Sequence, residues 1–259
     1  MRDLFFFVAS RSFYGKKFIN LNQIVMATND LKSTTDRRRF LASLASGAAA
    51  VSLATIPSVN LHAENDFIST NDDDPELLFK NLKGKHRAIF DLVEPNQENP
   101  IMPFAWARVF LLTNEATGTP TKQNDVVIVL RHAGIGYAFE DRLWAKYGLG
   151  EMFKAQDPET KKPANKNNFW KPAKPFEVPG LGPVPIAIND LQDSGVHFVV
   201  CNVAMTVYGA ILAGKMNMKK EDVYNDLKSG LLPGVMIVPS GVWAVGRAQE
   251  NKCAYFFAG

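Results

Sequence analysis

Cys201 is the residue with the most chemistry open to it. It closes the run Gly195-Val196-His197-Phe198-Val199-Val200 and precedes Asn202, after which Val203, Val207, Ala210 and Ile211 recur at helical spacing. The β-branched and aromatic run reads as a strand buried on both faces. Asn202 reads as the N-cap, its side-chain oxygen accepting an orphan amide of the first helical turn. Cys201 is therefore expected where a strand ends and a helix begins, facing the helix's positive end. A thiol in that position loses its proton more easily than a free cysteine, and the thiolate is the nucleophile. A second reading stands beside it: a cysteine closing a buried strand often serves only as a small hydrophobe.

Two other segments share that placement, Arg131-His132-Ala133-Gly134 and Pro239-Ser240-Gly241. Each follows an apolar strand and precedes a helix, so all three should meet at the edge of a parallel sheet where ligands bind. Arg131, Gly134, Asn202, Ser240 and Gly241 are the candidate ligand-binding residues. His132 has two readings, a base for Cys201 or a donor to a strand-end carbonyl. Ser240 lacks the Gly-x-Ser-x-Gly elbow and reads first as a helix cap. Gly134 and Gly136 make half of a dinucleotide fingerprint, but Phe139 takes the third glycine's place and no acidic residue closes a following strand. NAD is not expected, and the sequence names no other cofactor. His197, inside its strand, reads as structural. Neither cysteine has a partner at zinc-ligand spacing, so no metal site is expected. Cys201 ends a strand while Cys253 begins one, which places them at opposite ends of a parallel sheet and argues against a disulfide.

The elements that must hold these residues alternate. Strands are expected over residues 86–93, 125–130, 196–200, 234–238 and 253–257, and helices over 102–117, 137–149, near Ile188, from Val203, and over 219–229 and 242–249. Such alternation predicts an α/β domain with a parallel sheet covered on both faces. Residues 83–259 form this domain, and an acidic stretch around Asp72-Asp73-Asp74 makes 64–82 a flexible lead-in. The alternation breaks at 154–185, an insertion rich in Lys, Asn and Pro. Its Phe169, Trp170 and Phe176 favour a packed flap over a free tail.

Charge separates the first part of the chain from the rest. Residues 1–63 hold eight Lys/Arg against three Asp/Glu, and the remainder hold 21 against 23. No nucleic-acid footprint is left outside the leader. Within the leader, Arg37, Arg38 and Arg39 are followed by Phe40 and Leu41, then by an uncharged Ala/Ser/Gly-rich stretch ending at Ala63. This is the three-part plan of an export signal. The arginines with Phe-Leu resemble the twin-arginine type, which implies passage of a folded protein through the Tat export machinery into a bacterial periplasm. Met26 would give such a signal a short basic start, and residues 1–25 then read either as a start codon placed too early or as a true upstream extension. Phe5-Phe6-Phe7 within it is too short to span a membrane, and no stable span is expected after the leader.

The run from Gly195 to Asn202, with Leu232-Pro233-Gly234-Val235 and Val238-Pro239-Ser240-Gly241-Val242, resembles the DsrE/DsrF-like family. The strand 126–130 and its following loop fit the same pattern, and the resemblance covers roughly residues 86–257 around the insertion. It implies a three-layer α/β/α sandwich on a five-stranded parallel sheet, assembled in trimers or hexamers. In sulfur-relay members a cysteine at this strand end accepts persulfide sulfur, and Cys201 matches it. The partners so implied are a sulfur donor and acceptor.

Two functions from different classes follow. In one, Cys201 takes sulfane sulfur as a persulfide and passes it on. In the other, the strand-end crevice binds a small anionic or aromatic ligand under the 154–185 flap, with Cys201 as a pocket wall. A homo-oligomer is expected as well. Phe104, Trp106, Val109, Phe110, Leu111 and Leu112 crowd one helix on nearly every side, and one sheet can bury only one of those sides.

Overall fold

The computed structural model describes residues 74–258. The export signal at residues 37–41, its end at Ala63 and the lead-in as far as residue 73 lie outside the described residues. Seven strands are present among them: β1 His86–Leu92, β2 Asn124–Leu130, β3 Phe176–Val178, β4 Gly182–Val184, β5 Val196–Cys201, β6 Val235–Val238 and β7 Ala254–Phe257. Five form a sheet in the order β6-β5-β2-β1-β7. All four pairings are parallel, with Leu92 beside Leu130, Leu130 beside Val200 and Cys201 beside Val238. Ala88–Phe90, Val126–Leu130 and Phe198–Val200 of the three central strands are buried and apolar without alternation because both faces are covered there.

The helices are α1 Pro75–Lys80, α2 Met102–Ala116, α3 Asp141–Tyr147, α4 Leu149–Met152, α5 Ile188–Asp193, α6 Asn202–Met216, α7 Lys220–Ser229 and α8 Gly241–Glu250. On one face of the sheet, Phe90, Ile128, Phe198 and Val200 pack against Phe104 and Leu111 of α2, Trp144 of α3 and Met205 and Leu212 of α6. On the other face, Ile89, Val127, Val129 and Val199 meet Phe79 of α1 and Ala244 and Ala248 of α8. The chain is thus a three-layer α/β/α domain on a five-stranded parallel sheet.

Two local expectations change and a third is met. The lead-in expected to be flexible contains α1. Asp74 Oδ1 accepts the amide of Glu76, Pro75 opens the helix, and Phe79 is fully buried edge-to-face on Trp243, with ring centroids 5.7 Å apart. Asp-Pro there is an N-cap and first helical residue, not part of a solvated acidic run. The helix expected over 137–149 is a 3₁₀ turn, His132–Ala138, followed by α3 and α4. Gly148, left-handed at φ 62°, separates α3 from α4, and at Gly134 the chain passes so close to β1 that an added Cβ would stand 2.4 Å from the Leu92 carbonyl oxygen.

The insertion is packed, as its aromatic residues suggested, and it is built into the core. Phe169 is buried between Phe104 (4.7 Å between centroids) and Phe176 (5.0 Å). The buried Asn167 donates from Nδ2 to the Tyr137 and Phe139 carbonyls, at 2.9 Å each. Strands β3 and β4 pair antiparallel within it. Arg108, a buried arginine of α2, donates to the carbonyls of Pro185 and Asp190 and to Ser194 Oγ. Burial lowers the Arg108 pKa against the opposing effect of Asp190. Among the described residues, no helix is long and apolar enough to cross a membrane.

Candidate functional site

Cys201 sits where β5 becomes α6, and it is itself the N-cap. Its backbone is extended (φ −72°, ψ 111°), and its Sγ accepts the Ala204 amide at 3.3 Å. Asn202, expected to cap the helix, is instead its first residue. The buried Asn202 Oδ1 accepts the Tyr224 hydroxyl at 2.6 Å, tying α6 to α7. The helix starts one residue earlier than the asparagine suggested, and the thiol takes the role that an oxygen usually fills.

Arg131 follows β2 directly. Its Nε and Nη2 donate to Asp91 Oδ1 and Oδ2 at 2.6 and 2.8 Å, a bidentate pair. Asp91 is buried in β1 and also accepts the Tyr255 hydroxyl at 2.8 Å. Donating to the Asp91 carboxylate raises the Arg131 pKa against its partial burial, and Cys201 is close enough to add a small effect of the same sign. The aliphatic stem of Arg131 lies over Gly241, where a Cβ would stand 2.5 Å from the Arg131 Cβ. Gly241 thus makes room for arginine.

The remaining candidates are held by the fold. The Gly134 amide donates to the Val93 carbonyl at 2.8 Å and so is not free for a ligand. Ser240 Oγ accepts the Trp243 amide at 3.1 Å, the capping role expected of it. His132 is exposed and sits at φ 49°, a left-handed conformation that costs a residue with a Cβ about 1 kcal/mol. Its ring lies edge-to-face on Tyr208, 5.8 Å between centroids, and no hydrogen bond joins it to Cys201 among the described residues. Both cysteines are free thiols. The pKa of His197 in β5 is lowered by desolvation of its ring, with Asp125 opposing.

The structure therefore brings Arg131, Gly241 and Cys201 to one edge of the sheet, with Asp91 and Tyr255 beside them. A solvent-open cavity of about 310 Å³ lies there, lined by Asp91, Arg131, Val242, Val245, Gln249 and Tyr255. The 154–185 insertion lines no part of it. Sequence reading missed Asp91, Tyr255 and Tyr224. A carboxylate inside the apolar run Ala88-Ile89-Phe90-Asp91-Leu92 was the available signal, since a buried charge needs a partner.

Fold and site together define an α/β/α protein with a capping thiol and an Arg–Asp–Tyr cluster at the carboxyl edge of its sheet. No family model matches the chain, and no curated protein matches it. Among solved structures it is similar to a protein of unknown function, MTH1491 from Methanobacterium thermoautotrophicum, with 15% identity and a TM-score of 0.37, over 67% of this chain and 99% of that one.

Proposed function

We propose that this is an exported DsrE-like protein that handles sulfane sulfur through Cys201. The Cys201 thiolate attacks the terminal sulfur of a donor persulfide. A new S–S bond forms at Cys201, the donor's S–S bond breaks, and the donor leaves as a thiolate. An acceptor thiolate then attacks the same sulfane sulfur, and Cys201 leaves as the thiolate. The observation that carries this reading is the Ala204 amide directed at Sγ at the start of α6. A negative sulfur at a helix N-terminus is favoured by about 0.3–1 kcal/mol when exposed and by up to about 2 when partly buried. The twin-arginine-like pattern at Arg37, Arg38 and Arg39 supports a periplasmic setting for this chemistry. Intact-mass analysis after incubation with a persulfide donor should show one added sulfur on the unmodified chain and none on Cys201→Ser. Equal labelling of the two would reject the relay.

A second reading has its own support in the cavity beside Arg131. There the protein binds a small anionic or aromatic ligand without catalysis, and Cys201 is a wall. Under that reading Cys201 resists iodoacetamide at neutral pH, whereas a relay thiol is alkylated.

A further inference from the structure

Strand β7 is the weakest-protected element of the sheet. Among the described residues it pairs only with β1, and none of them pairs with its outer edge. All four of its residues are exposed: Ala254, Tyr255, Phe256 and Phe257. Edge strands in monomers are usually blunted by lysine, proline or a bulge, and β7 has none of these. At the opposite edge, β6 is partly or fully buried throughout.

Both faces of β7 are also open. On the α8 side lies the cavity of about 310 Å³, with Tyr255, Val242 and Val245 in its walls. On the α2 side lies a second, of about 380 Å³, walled by Trp106, Val109, Phe110, Phe256 and Phe257. Trp106, Tyr255, Phe256 and Phe257 are 45%, 42%, 41% and 57% exposed. An aromatic side chain can bury roughly 150–250 Å², so these four rings alone offer about 280–460 Å². A stable interface takes roughly 800 Å² from each partner. Val109, Leu112 and Val242, each more than one-third exposed, extend the same surface.

We infer that β7 is a two-fold interface at which a second copy of this chain pairs edge to edge. A lone extended peptide would satisfy the backbone edge but bring nothing shaped to both grooves. A second β7 brings Tyr255 to one groove and Phe256 and Phe257 to the other, so the surface that needs filling also carries the filler. That self-complementarity is what an isologous two-fold contact requires. No charged side chain of β7 has to lose water on pairing. A second copy also closes the groove beside Arg131, so the dimer and a small ligand there are alternatives. The interface is independent of the chemistry at Cys201.

The test is the mass of the full chain in solution at micromolar concentration, by light scattering. The unmodified chain should have the mass of a dimer or a multiple of it. Phe257→Lys should shift it by half, with unchanged circular dichroism, while Val203→Lys on the exposed side of α6 leaves it alone. Amide exchange of β7 provides a second measurement that needs no folded variant. Protection that falls on dilution supports the pairing. Three results overturn it: a monomer at micromolar concentration, an assembly broken by Val203→Lys but untouched by Phe257→Lys, or β7 protection independent of concentration. The last of these would mean that the chain covers its own edge.

Discussion

Cys201 and Cys253 are equally buried, 7% and 6% exposed, yet they occupy opposite ends of the sheet and face opposite fields. Cys201 ends β5 and starts α6, where the Ala204 amide donates to its sulfur. Cys253 follows the C-terminal end of α8, and its own amide donates back to the Ala248 carbonyl. Burial pushes the Cys253 thiol up to about 11, with Arg87 opposing and Asp125 reinforcing the rise. In a parallel sheet one edge collects helix N-termini and the other helix C-termini. Burial alone does not decide what a thiol does; the edge on which it lies decides as well.

The sharpest way to break this contrast is selective alkylation. At pH 7 only about one Cys253 in 10⁴ is a thiolate, some 300-fold below a free cysteine. Peptide mapping after brief iodoacetamide treatment should find label at Cys201 and almost none at Cys253. Equal labelling would dissolve the distinction.

Asp91→Asn sharpens it from the other side. The change removes a buried charge from its pair with Arg131 while leaving Cys201 in its cap. Breaking a buried pair costs about 3–5 kcal/mol, and the partial exposure of Arg131 places the expected loss near 3 kcal/mol, read from urea unfolding. A loss below about 1 kcal/mol would show that the cluster is not structural.

Alkaline pH probes Cys253 directly. Its folded pKa is raised, so between about pH 9 and 11 the unfolded chain has released this proton while the folded chain still holds it. The unfolded state then binds fewer protons, and stability falls as pH rises through that window, by about 2–3 kcal/mol in all. Cys253→Ala should flatten this part of the slope, and Cys201→Ala should not. The smallest effect is expected from Tyr224→Phe, which leaves the buried Asn202 Oδ1 without its donor at a cost of about 1–2 kcal/mol. Thermal melting would register the loss, and an unchanged midpoint would mean that water replaces the hydroxyl.

The strands were legible in the sequence because parallel strands covered on both faces read as uninterrupted apolar runs, as in Val126-Val127-Ile128-Val129-Leu130. The position of Cys201 at a strand end was legible for the same reason. Much of the rest depended on distant partners. Nothing near Asp91 announces Arg131 or Tyr255, which reach it from other strands. Val203, Val207 and Ile211 recur at helical spacing, yet all three are about half exposed, while Ala204, Met205 and Leu212 face the core. A helix so apolar on most sides does not reveal its buried face by periodicity. Trp106, Val109 and Leu112 of α2 are likewise on the open side, whereas Phe104 and Leu111 face inward. The insertion hid its role because Asn167 and Phe169 matter only through the rings and carbonyls they meet.

The sheet order also sets a timetable for synthesis. Strand β1 lies between β2 and β7, so Ala88 must find Ala254, almost the whole domain later in the chain. At about 5–20 residues per second on the ribosome, β1 waits roughly 8–30 s with one edge bare. During that interval Phe90 lacks the stacked Phe256 ring that later covers it at 5.0 Å. A nascent chain stalled before residue 254 carries the strand-end thiol and most of the core, but its sheet still ends at β1. Release of the last strand is therefore the step that closes the β1 edge, and a chaperone that shields nascent chains has its longest task there.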